Sequence, residues 1–387
     1  MNLFLKSSFF LLFLLGMNCQ SHQVQPPPVK PQPTHPKEEP KNQSLIQEQP
    51  VPDHLFKVEM DGFLTFFDRT GRIKISSSYV EPQMGGVSEG LCPVKLSRDS
   101  GIGYINLKTQ LVIPAKFTYA RRFSNGLAVV SIGNDFGFID HSGEFVIPPI
   151  SRICPEDAQE GFVLIWPRDK GAQYLDLQGN LKIQGKKRWR YLPFSEGVAI
   201  VNPPGDSNLP TEVIDTSGKV LFKLQPHLEF SYGFSEGLAP VLNTRTNKYG
   251  YVDKTGRVVI PYILTLTEEE FLPGFSDYRA FRDGLALATP DGKKVGFIDK
   301  TNKFVIKPQF DYVSPFSEGV AFVRKGNQSY FIDKKGNPVI IPEIDSRSDG
   351  FFFEFRNGLA HDKIGFIDKT GKYVWKCPDR TTCYFPD

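Results

Sequence analysis

The sequence predicts an all-β protein, a tandem array of about nine three-stranded β-hairpin repeats. Short phrases recur along the chain in a fixed order, and the segments between them are β-branched or aromatic runs rather than helical patterns. A period of roughly 20 to 50 residues is the mark of a repeat architecture. Each copy should therefore form one small structural unit.

The first phrase is an apolar residue followed by Asp-x-x-Gly. Its Asp recurs nine times at intervals of 34 to 46 residues, with Asn106 in one copy. Between two apolar runs it predicts a hairpin turn, since Asp accepts hydrogen bonds from the backbone ahead and Gly adopts a left-handed conformation. The predicted structural turn residues include Asp68, Gly71, Asp140, Gly143, Asp253, Gly256, Asp333, Gly336, Asp368 and Gly371.

Two further phrases complete one copy. Phe-Ser-Glu-Gly, as at residues 194–197, makes the turn into a copy and precedes the Gly-Leu-Ala that opens the first strand. An aromatic-Ile-Asp sequence ends the second strand. A β-branched run followed by proline, as at residues 112–114, predicts a short third strand that ends at the proline, because proline cannot donate to a sheet ladder.

Together these phrases resemble the WG-repeat family of bacterial proteins, also called KWG repeats. The resemblance rests on Phe-Ser-Glu-Gly-Leu-Ala, Gly-Phe-Ile-Asp-Lys-Thr-Gly and Val-Ile-Pro, and it covers about residues 55 to 375. The name-giving Trp-Gly is absent, and other apolar residues precede the glycine, as at Phe136-Gly137 and Tyr249-Gly250. The resemblance implies a repetitive β fold and says little about function.

The copies must stack, because a single hairpin unit cannot bury its own apolar face. Two architectures meet this need, an open solenoid-like array and a closed β-propeller. Propeller blades usually have four strands and about 40 to 45 residues. Most intervals here are shorter, so we expect the open array and keep the closed propeller as the alternative.

The N-terminus is typical of an export signal, assigned to residues 1–18. A basic start precedes the apolar run 9–15, which is too short to span a bilayer. Cys19 follows where a lipoprotein carries its modified cysteine, although Gly16 and Asn18 depart from the usual lipobox. We expect lipidation at Cys19, with ordinary cleavage nearby as the alternative.

Residues 19–54 are rich in proline and poor in large apolar residues, and we expect a disordered, semi-rigid tether. The repeat array follows over residues 55–376, and residues 377–387 form a C-terminal tail. A net charge of +3 on 387 residues is nearly balanced, so nucleic acid is not an expected partner. We expect an exported protein, lipid-anchored to a membrane on the periplasmic side or at the cell surface.

The cysteines suggest a disulfide and no metal site. Cys377 and Cys383 are close enough in sequence to close a small loop in an exported chain. Cys92 replaces the alanine of the repeated Gly-Leu-Ala, which indicates packing, and the state of Cys154 is left open. Neither the cysteines nor the six histidines have metal-binding spacing. No metal or cofactor is expected.

Residues 233–237 spell G-x-S-x-G, the nucleophile elbow of α/β-hydrolases, with Ser235 as the nucleophile. That motif needs a strand-turn-helix, whereas here a strand follows and the serine recurs in other copies. A hydrolase is therefore the least favoured interpretation. The repeated aspartates suggest calcium, but the ion takes about six to eight oxygen ligands and each turn offers one carboxylate. We expect no enzyme.

Two segments that interrupt the period are the candidate binding residues. One is a basic and aromatic cluster suited to an anionic glycan or lipid head group. The other is an acidic insertion in the longest interval, and insertions in repeat arrays fall on one face. They contain Lys186, Lys187, Arg188, Trp189 and Arg190, and Glu268, Glu269 and Glu270.

The expected function is that of a non-catalytic envelope lipoprotein whose β-repeat scaffold binds an unidentified protein partner. The alternative is an envelope glycan or peptidoglycan binder, because the aromatic content is 13% and Trp189 lies among arginines.

Overall fold

The structure is a computed structural model that describes residues 55–60, 63–77, 86–95, 97, 99–108, 110–205, 207–265, 279–343, 354–378 and 383–384. The chain divides into two units, residues 1–53 and 54–387. The described residues all belong to the second unit, and the predicted signal, Cys19 and the whole predicted tether lie outside them.

The described strands form nine small antiparallel sheets. Sheet 1 contains β1 (Phe56–Met60), β2 (Phe63–Phe67) and β3 (Ile73–Ser77). Sheet 2 contains β4 (Leu91–Lys95), β5 (Ile102–Asn106) and β6 (Leu111–Phe117). Sheet 3 contains β7 (Tyr119–Ala120), β8 (Ala128–Ile132), β9 (Asp135–Ile139) and β10 (Phe145–Ser151). Sheet 4 contains β11 (Phe162–Ile165), β12 (Gln173–Asp176) and β13 (Leu181–Gln184). Sheet 5 contains β14 (Arg190–Tyr191), β15 (Val198–Asn202), β16 (Glu212–Asp215) and β17 (Val220–Lys223). Sheet 6 contains β18 (Leu228–Phe230), β19 (Leu238–Asn243), β20 (Lys248–Asp253) and β21 (Val258–Thr265).

Sheet 7 contains β22 (Ala286–Ala288), β23 (Val295–Ile298) and β24 (Phe304–Phe310). Sheet 8 contains β25 (Tyr312–Val313), β26 (Ala321–Lys325), β27 (Gln328–Ile332) and β28 (Pro338–Ile340). Sheet 9 contains β29 (Ala360–His361), β30 (Gly365–Ile367) and β31 (Tyr373–Lys376). A last strand, β32 (Cys383–Tyr384), joins sheet 1. Each sheet is built on a three-stranded meander in chain order, and β7, β14, β18 and β25 add a short strand at the start of theirs. The predicted all-β array of about nine three-stranded units is confirmed.

The core lies between neighbouring sheets. Successive side chains of a strand point to opposite faces, and both faces of the middle strands are covered. Phe66 packs with Val94 and Ile105 of sheet 2, and the same pattern of shared clusters recurs along the chain. Sheets 7 and 8, for example, share one cluster around Phe297 and Phe316.

The first and last sheets also pack against each other. Phe67 of β2 stacks on Trp375 of β31 at 5.4 Å between ring centroids, within a cluster that includes Val58 and Phe366. Strand β32, which lies in the segment assigned from sequence to a tail, pairs with β1. These contacts join the two ends of the series, which is the arrangement of the closed alternative.

The glycine that follows an apolar residue in the place of the family's Trp-Gly is explained by a close approach of two strands. Ile102 pairs with Phe117 and Tyr104 with Ile113, so three residues of β6 bulge opposite Gly103. A Cβ on Gly103 would lie 2.5 Å from the carbonyl oxygen of Ile113. The same bulge faces Gly137, Gly250 and Gly296. Where Thr65, Gln173 or Glu212 occupies this position, the pairing is regular.

The prediction that the third strand ends at its proline was wrong for β6, β10 and β21, whereas β28 ends before Pro342. Strand β6 continues from Pro114 to Phe117, and β10 and β21 likewise run beyond Pro148 and Pro261. The proline lies in the bulge, where no ladder hydrogen bond is required of its nitrogen.

Gly71→Ala tests the contact between sheets 1 and 9. Gly71 has a φ of +78°, and a Cβ there would lie 1.9 Å from the carbonyl oxygen of Val374 in β31. Gly90 has nearly the same φ, +79°, with nothing within 4 Å of a Cβ, so Gly90→Ala carries the backbone strain alone. We expect Gly71→Ala to lower the free energy of unfolding by about 1–3 kcal/mol more than Gly90→Ala, as overpacking does. Urea denaturation measures both, and equal losses would contradict the contact.

Candidate functional site

Asp140 shows the geometry of the Asp-x-x-Gly turns. Its Oδ1 accepts hydrogen bonds from the backbone N–H of Ser142 at 2.9 Å and of Glu144 at 3.3 Å, and from the Ser142 hydroxyl at 2.5 Å. Gly143 donates its N–H to the Asp140 carbonyl and has a φ of +84°. The two backbone bonds to Oδ1 recur in the turns that begin at Asp68, Asp176, Asp215, Asp253, Asp299, Asp333 and Asp368.

These hydrogen bonds explain the repeated aspartate. Donation from the hydroxyl two residues ahead lowers the pKa of Asp140, Asp215 and Asp299 below its usual range. Asn106 accepts the same backbone bonds, from Lys108 and Gln110, so the turn needs an oxygen and not a charge. Within the described residues, acidic, histidine and cysteine side chains form no group of three or more that could hold a metal.

Asparagine at three turns should weaken the acid sensitivity of the array. A carboxylate with a lowered folded pKa stabilises the protein above its unfolded pKa, near 4, and this contribution is lost as pH falls through the folded value. We expect the variant Asp140→Asn, Asp215→Asn, Asp299→Asn to fold near neutral pH, as Asn106 does in its turn, and to lose less stability between pH 7 and pH 3 than the wild type. Urea denaturation at pH 7, 4 and 3 measures this. A steeper loss than in the wild type would contradict it, and Asp169→Asn, outside these turns, is the control.

A second set of turns directly precedes the first strand of the three-stranded meander in sheets 2 to 9. We call them inter-sheet turns because side chains of one turn contact the next. Each has four residues, and the backbone groups of the first and fourth pair with each other. The second residue has a φ between +49° and +55°. Eight occur in the described residues, at 88–91, 124–127, 159–162, 195–198, 235–238, 282–285, 317–320 and 356–359.

The second residue of an inter-sheet turn is usually acidic, and it contacts the following turn. The carboxylate of Glu196 accepts from the N–H of Gly237 at 2.9 Å, and that of Glu236 from Gly284 at 3.0 Å. The pairs Glu89–Gly126, Glu160–Gly197, Asp283–Gly319 and Glu318–Gly358 repeat this bond. Each turn therefore fixes its neighbour.

Basic side chains from the Asp-x-x-Gly turns complete this network. The Nζ of Lys300 lies 3.1 Å from the Glu236 carboxylate and donates to the Glu236 carbonyl at 2.8 Å. Lys254 and Lys369 make the same two contacts with Glu196 and Glu318. His141 takes this place against Glu89 at 3.0 Å. Both kinds of turn meet because antiparallel connections place them at the same end of the sheets.

The serine of the inter-sheet turn is part of the same structure. Ser235 Oγ donates to the Phe281 carbonyl at 2.7 Å, and Ser195 and Ser317 donate to the corresponding carbonyls of Phe234 and Phe355. Ser235 thus sits in a strand-turn-strand, as its repetition predicts, and its hydroxyl serves a contact between sheets.

One inter-sheet turn was missed from the sequence. At residues 159–162 the serine is replaced by Gln159 and the preceding phenylalanine by Ala158, although Glu160-Gly161 remains. Upstream of it, Asn125 takes the acidic position and donates to the Ala158 carbonyl at 2.8 Å. The retained Glu-Gly before an apolar strand was the signal that identifies this copy.

The basic and aromatic cluster forms the connection between sheets 4 and 5. Lys186 Nζ lies 4.1 Å from the centroid of the Trp189 ring and 2.6 Å from the carboxylate of Glu212. Trp189 is half-buried against the core cluster shared by these sheets, and Lys187, Arg188 and Arg190 are exposed. The structure thus adds Glu212, a residue that the sequence analysis did not select.

The other predicted sites are described in part or not at all. Glu268, Glu269, Glu270 and Cys19 lie outside the described residues. Cys377 is buried and disulfide-bonded, and the side chain of Cys383, its predicted partner, is not described. Cys92 is buried, as packing predicts. The described residues include no helix with the length and hydropathy needed to cross a membrane.

The sequence matches the family model of the WG containing repeat at residues 102–134, 136–151, 249–265 and 296–328. These segments fall in sheets 2, 3, 6, 7 and 8. No match was found among curated protein sequences.

Solved structures are similar to this chain at low sequence identity. A eukaryotic initiation factor is 12% identical with a TM-score of 0.50, over 82% of this chain and 94% of that one. BamB from Moraxella catarrhalis is 12% identical, with a TM-score of 0.40 over 74% and 90%. AztD from Citrobacter koseri is 15% identical, with a TM-score of 0.38 over 85% and 93%.

Proposed function

The chain is a WG-repeat protein, and we propose that it is a non-catalytic scaffold that binds another protein through the last strands of its meanders. We further propose that it is exported and held at a membrane by a lipid on Cys19. The scaffold role is supported by the use of the repeated Asp, Glu and Ser side chains in turns, which leaves them bound to backbone groups.

The observation that carries the proposal is that aliphatic side chains are exposed at the same place in many copies of the repeat. Most of the large apolar residues that remain exposed lie on the last strand of a meander or directly after it. That strand is at the edge of every sheet. The residues are Leu111, Val112, Ile150, Leu181, Leu221, Val258, Ile263, Val305, Val339 and Ile341. A contiguous exposed apolar surface is typical of an interaction site, and we propose that these side chains supply one.

The edges are built for contact by side chains and not for strand addition. Pro114, Pro148, Pro261 and Pro308 lie in the bulges of these strands, and proline with a bulge prevents another strand from pairing along an edge. A partner would therefore bury the aliphatic side chains without extending the sheets.

Replacing three of these side chains should abolish partner binding without unfolding the protein. Val112, Leu181 and Val339 are 45%, 53% and 49% exposed, and burying one such side chain contributes about 1.5–3 kcal/mol. We expect the triple threonine variant to bind its partner at least about tenfold more weakly. The measurement is capture of proteins from envelope extracts by the full chain, followed by titration of the captured protein.

The control carries threonine at the exposed Lys170, Lys293 and Lys335, which lie outside the last strands, and should bind as the wild type does. Failure of the wild type to enrich any protein, or equal loss in both variants, would contradict the proposed interface.

Cys19→Ala tests the anchor. A lipid on this cysteine would be the membrane attachment, so the variant should move from the membrane pellet to the soluble fraction. Cys92→Ala, which alters a buried residue of the array, is the control and should stay in the pellet. Fractionation with mass spectrometry of the N-terminal peptide measures this, and an unmodified Cys19 peptide would refute lipidation.

The glycan alternative at Trp189 is less favoured. Sugar stacking needs an open aromatic face, whereas Lys186 lies over this ring and Trp189 also packs against the core cluster.

A further inference from the structure

Glu212 occupies the position that holds glycine in sheets 2, 3, 6 and 7. Its side chain is only 6% exposed, and burying a carboxylate is costly unless it is paired. Lys186 Nζ lies 2.6 Å from one oxygen and Lys223 Nζ lies 2.9 Å from the other. Burial alone would raise the pKa of Glu212, but hydrogen bonds from the two ammonium groups hold it below its usual range. The carboxylate stays charged and brings two lysines together.

The two lysines come from different elements and are held in place. Lys223 ends β17, and Lys186 lies in the connection between sheets 4 and 5. Lys186 is fixed three times, by Glu212, by the Trp189 ring, and by its backbone N–H, which donates to the Tyr191 hydroxyl at 2.9 Å. About half of each lysine side chain remains exposed, 51% and 54%, so both charges reach solvent.

Positive charge exceeds negative charge at this place. Lys186, Lys187 and Lys223 make up what we call the basic patch, and Glu212 is the buried acid beside it. One carboxylate cannot neutralise two lysines, and Lys187 adds a further exposed cation. Lysine is a compact point charge that binds phosphate without requiring a bidentate geometry.

We propose that the basic patch binds phosphate groups of an anionic ligand, with Lys186 and Lys223 positioned by Glu212 and Lys187 as the third cation. The exposed halves of the two positioned lysines and Lys187 provide the charge, and the fixed geometry reduces the entropy that a ligand would otherwise lose on ordering them. Lys223 lies on β17, an edge strand that also carries the aliphatic Leu221 of the proposed protein interface. The lysines and the aliphatic side chains can be replaced separately, so either proposal can fail without the other.

The test uses the full chain with Cys19→Ala, so that a lipid anchor does not contribute. One arm titrates inorganic pyrophosphate by calorimetry. The other measures co-sedimentation with vesicles of phosphatidylcholine containing phosphatidylglycerol, against phosphatidylcholine alone. Lys187→Glu changes an exposed residue and keeps the Glu212 pairs, and we expect at least about fivefold weaker binding, since one lysine near an anionic surface is worth about 1 kcal/mol.

A second variant, Lys186→Gln, Glu212→Gln, Lys223→Gln, removes the positioned cations and the buried charge together, and should weaken binding further. The control Lys303→Glu reverses an exposed charge in sheet 7 and should leave binding unchanged.

Binding of pyrophosphate supports a soluble phosphate ligand, and binding to the anionic vesicles alone supports a lipid head group. Absence of saturable binding in both arms would overturn the proposal, as would equal weakening by Lys187→Glu and Lys303→Glu.

Discussion

Two-sided burial of every sheet is the constraint on which the rest of this structure depends. The middle strands β5, β9 and β23 each contain four consecutive buried residues, so both faces of their sheets need a cover. A strand buried on both faces loses the usual alternation of apolar and polar residues. Each sheet supplies half of the core on either side of it. The end sheets obey the same rule, and Phe66 and Phe67 therefore face sheet 2 and sheet 9 respectively.

The turns set the spacing that this packing requires. A carboxylate from one inter-sheet turn bonds the backbone of the next, and a lysine or histidine from the adjoining hairpin turn pairs with the same carboxylate. An exposed ion pair alone contributes little. Here the carboxylate also accepts a backbone hydrogen bond, which fixes the two turns in one arrangement. In the sequence, the acidic, basic and serine side chains resemble catalytic or metal-binding groups. In the structure they align neighbouring sheets.

Local phrases predicted the strands and hairpin turns because each phrase encodes contacts within a few residues. Asp140, Ser142 and Gly143 make their turn without help from elsewhere. The packing of Phe67 on Trp375 joins opposite ends of the chain, and no local pattern specifies it. The bulge beyond Pro114 likewise depends on the glycine of another strand. In the basic patch, the sequence identified Lys186 and Trp189 but not Glu212, which is 26 residues away from Lys186 and meets it only in the folded array.

The copies of a repetitive scaffold differ from one another at the positions that depart from the repeat. Most copies have the same residue types at corresponding positions. A substitution at one of these positions that costs stability therefore indicates a functional role. Such departures occur along the array, as at Thr65, Arg282 and Asn357, and several fall between Asn125 and Lys223. Asn125 lacks the acid of its turn, Gln159 replaces the serine, and Gln173 and Glu212 replace the glycine. A buried charge in place of glycine is the most costly of these changes, and its two lysines explain how the fold tolerates it. This cost at Glu212, beside two positioned lysines, is the reason why we propose the phosphate site at the junction of sheets 4 and 5.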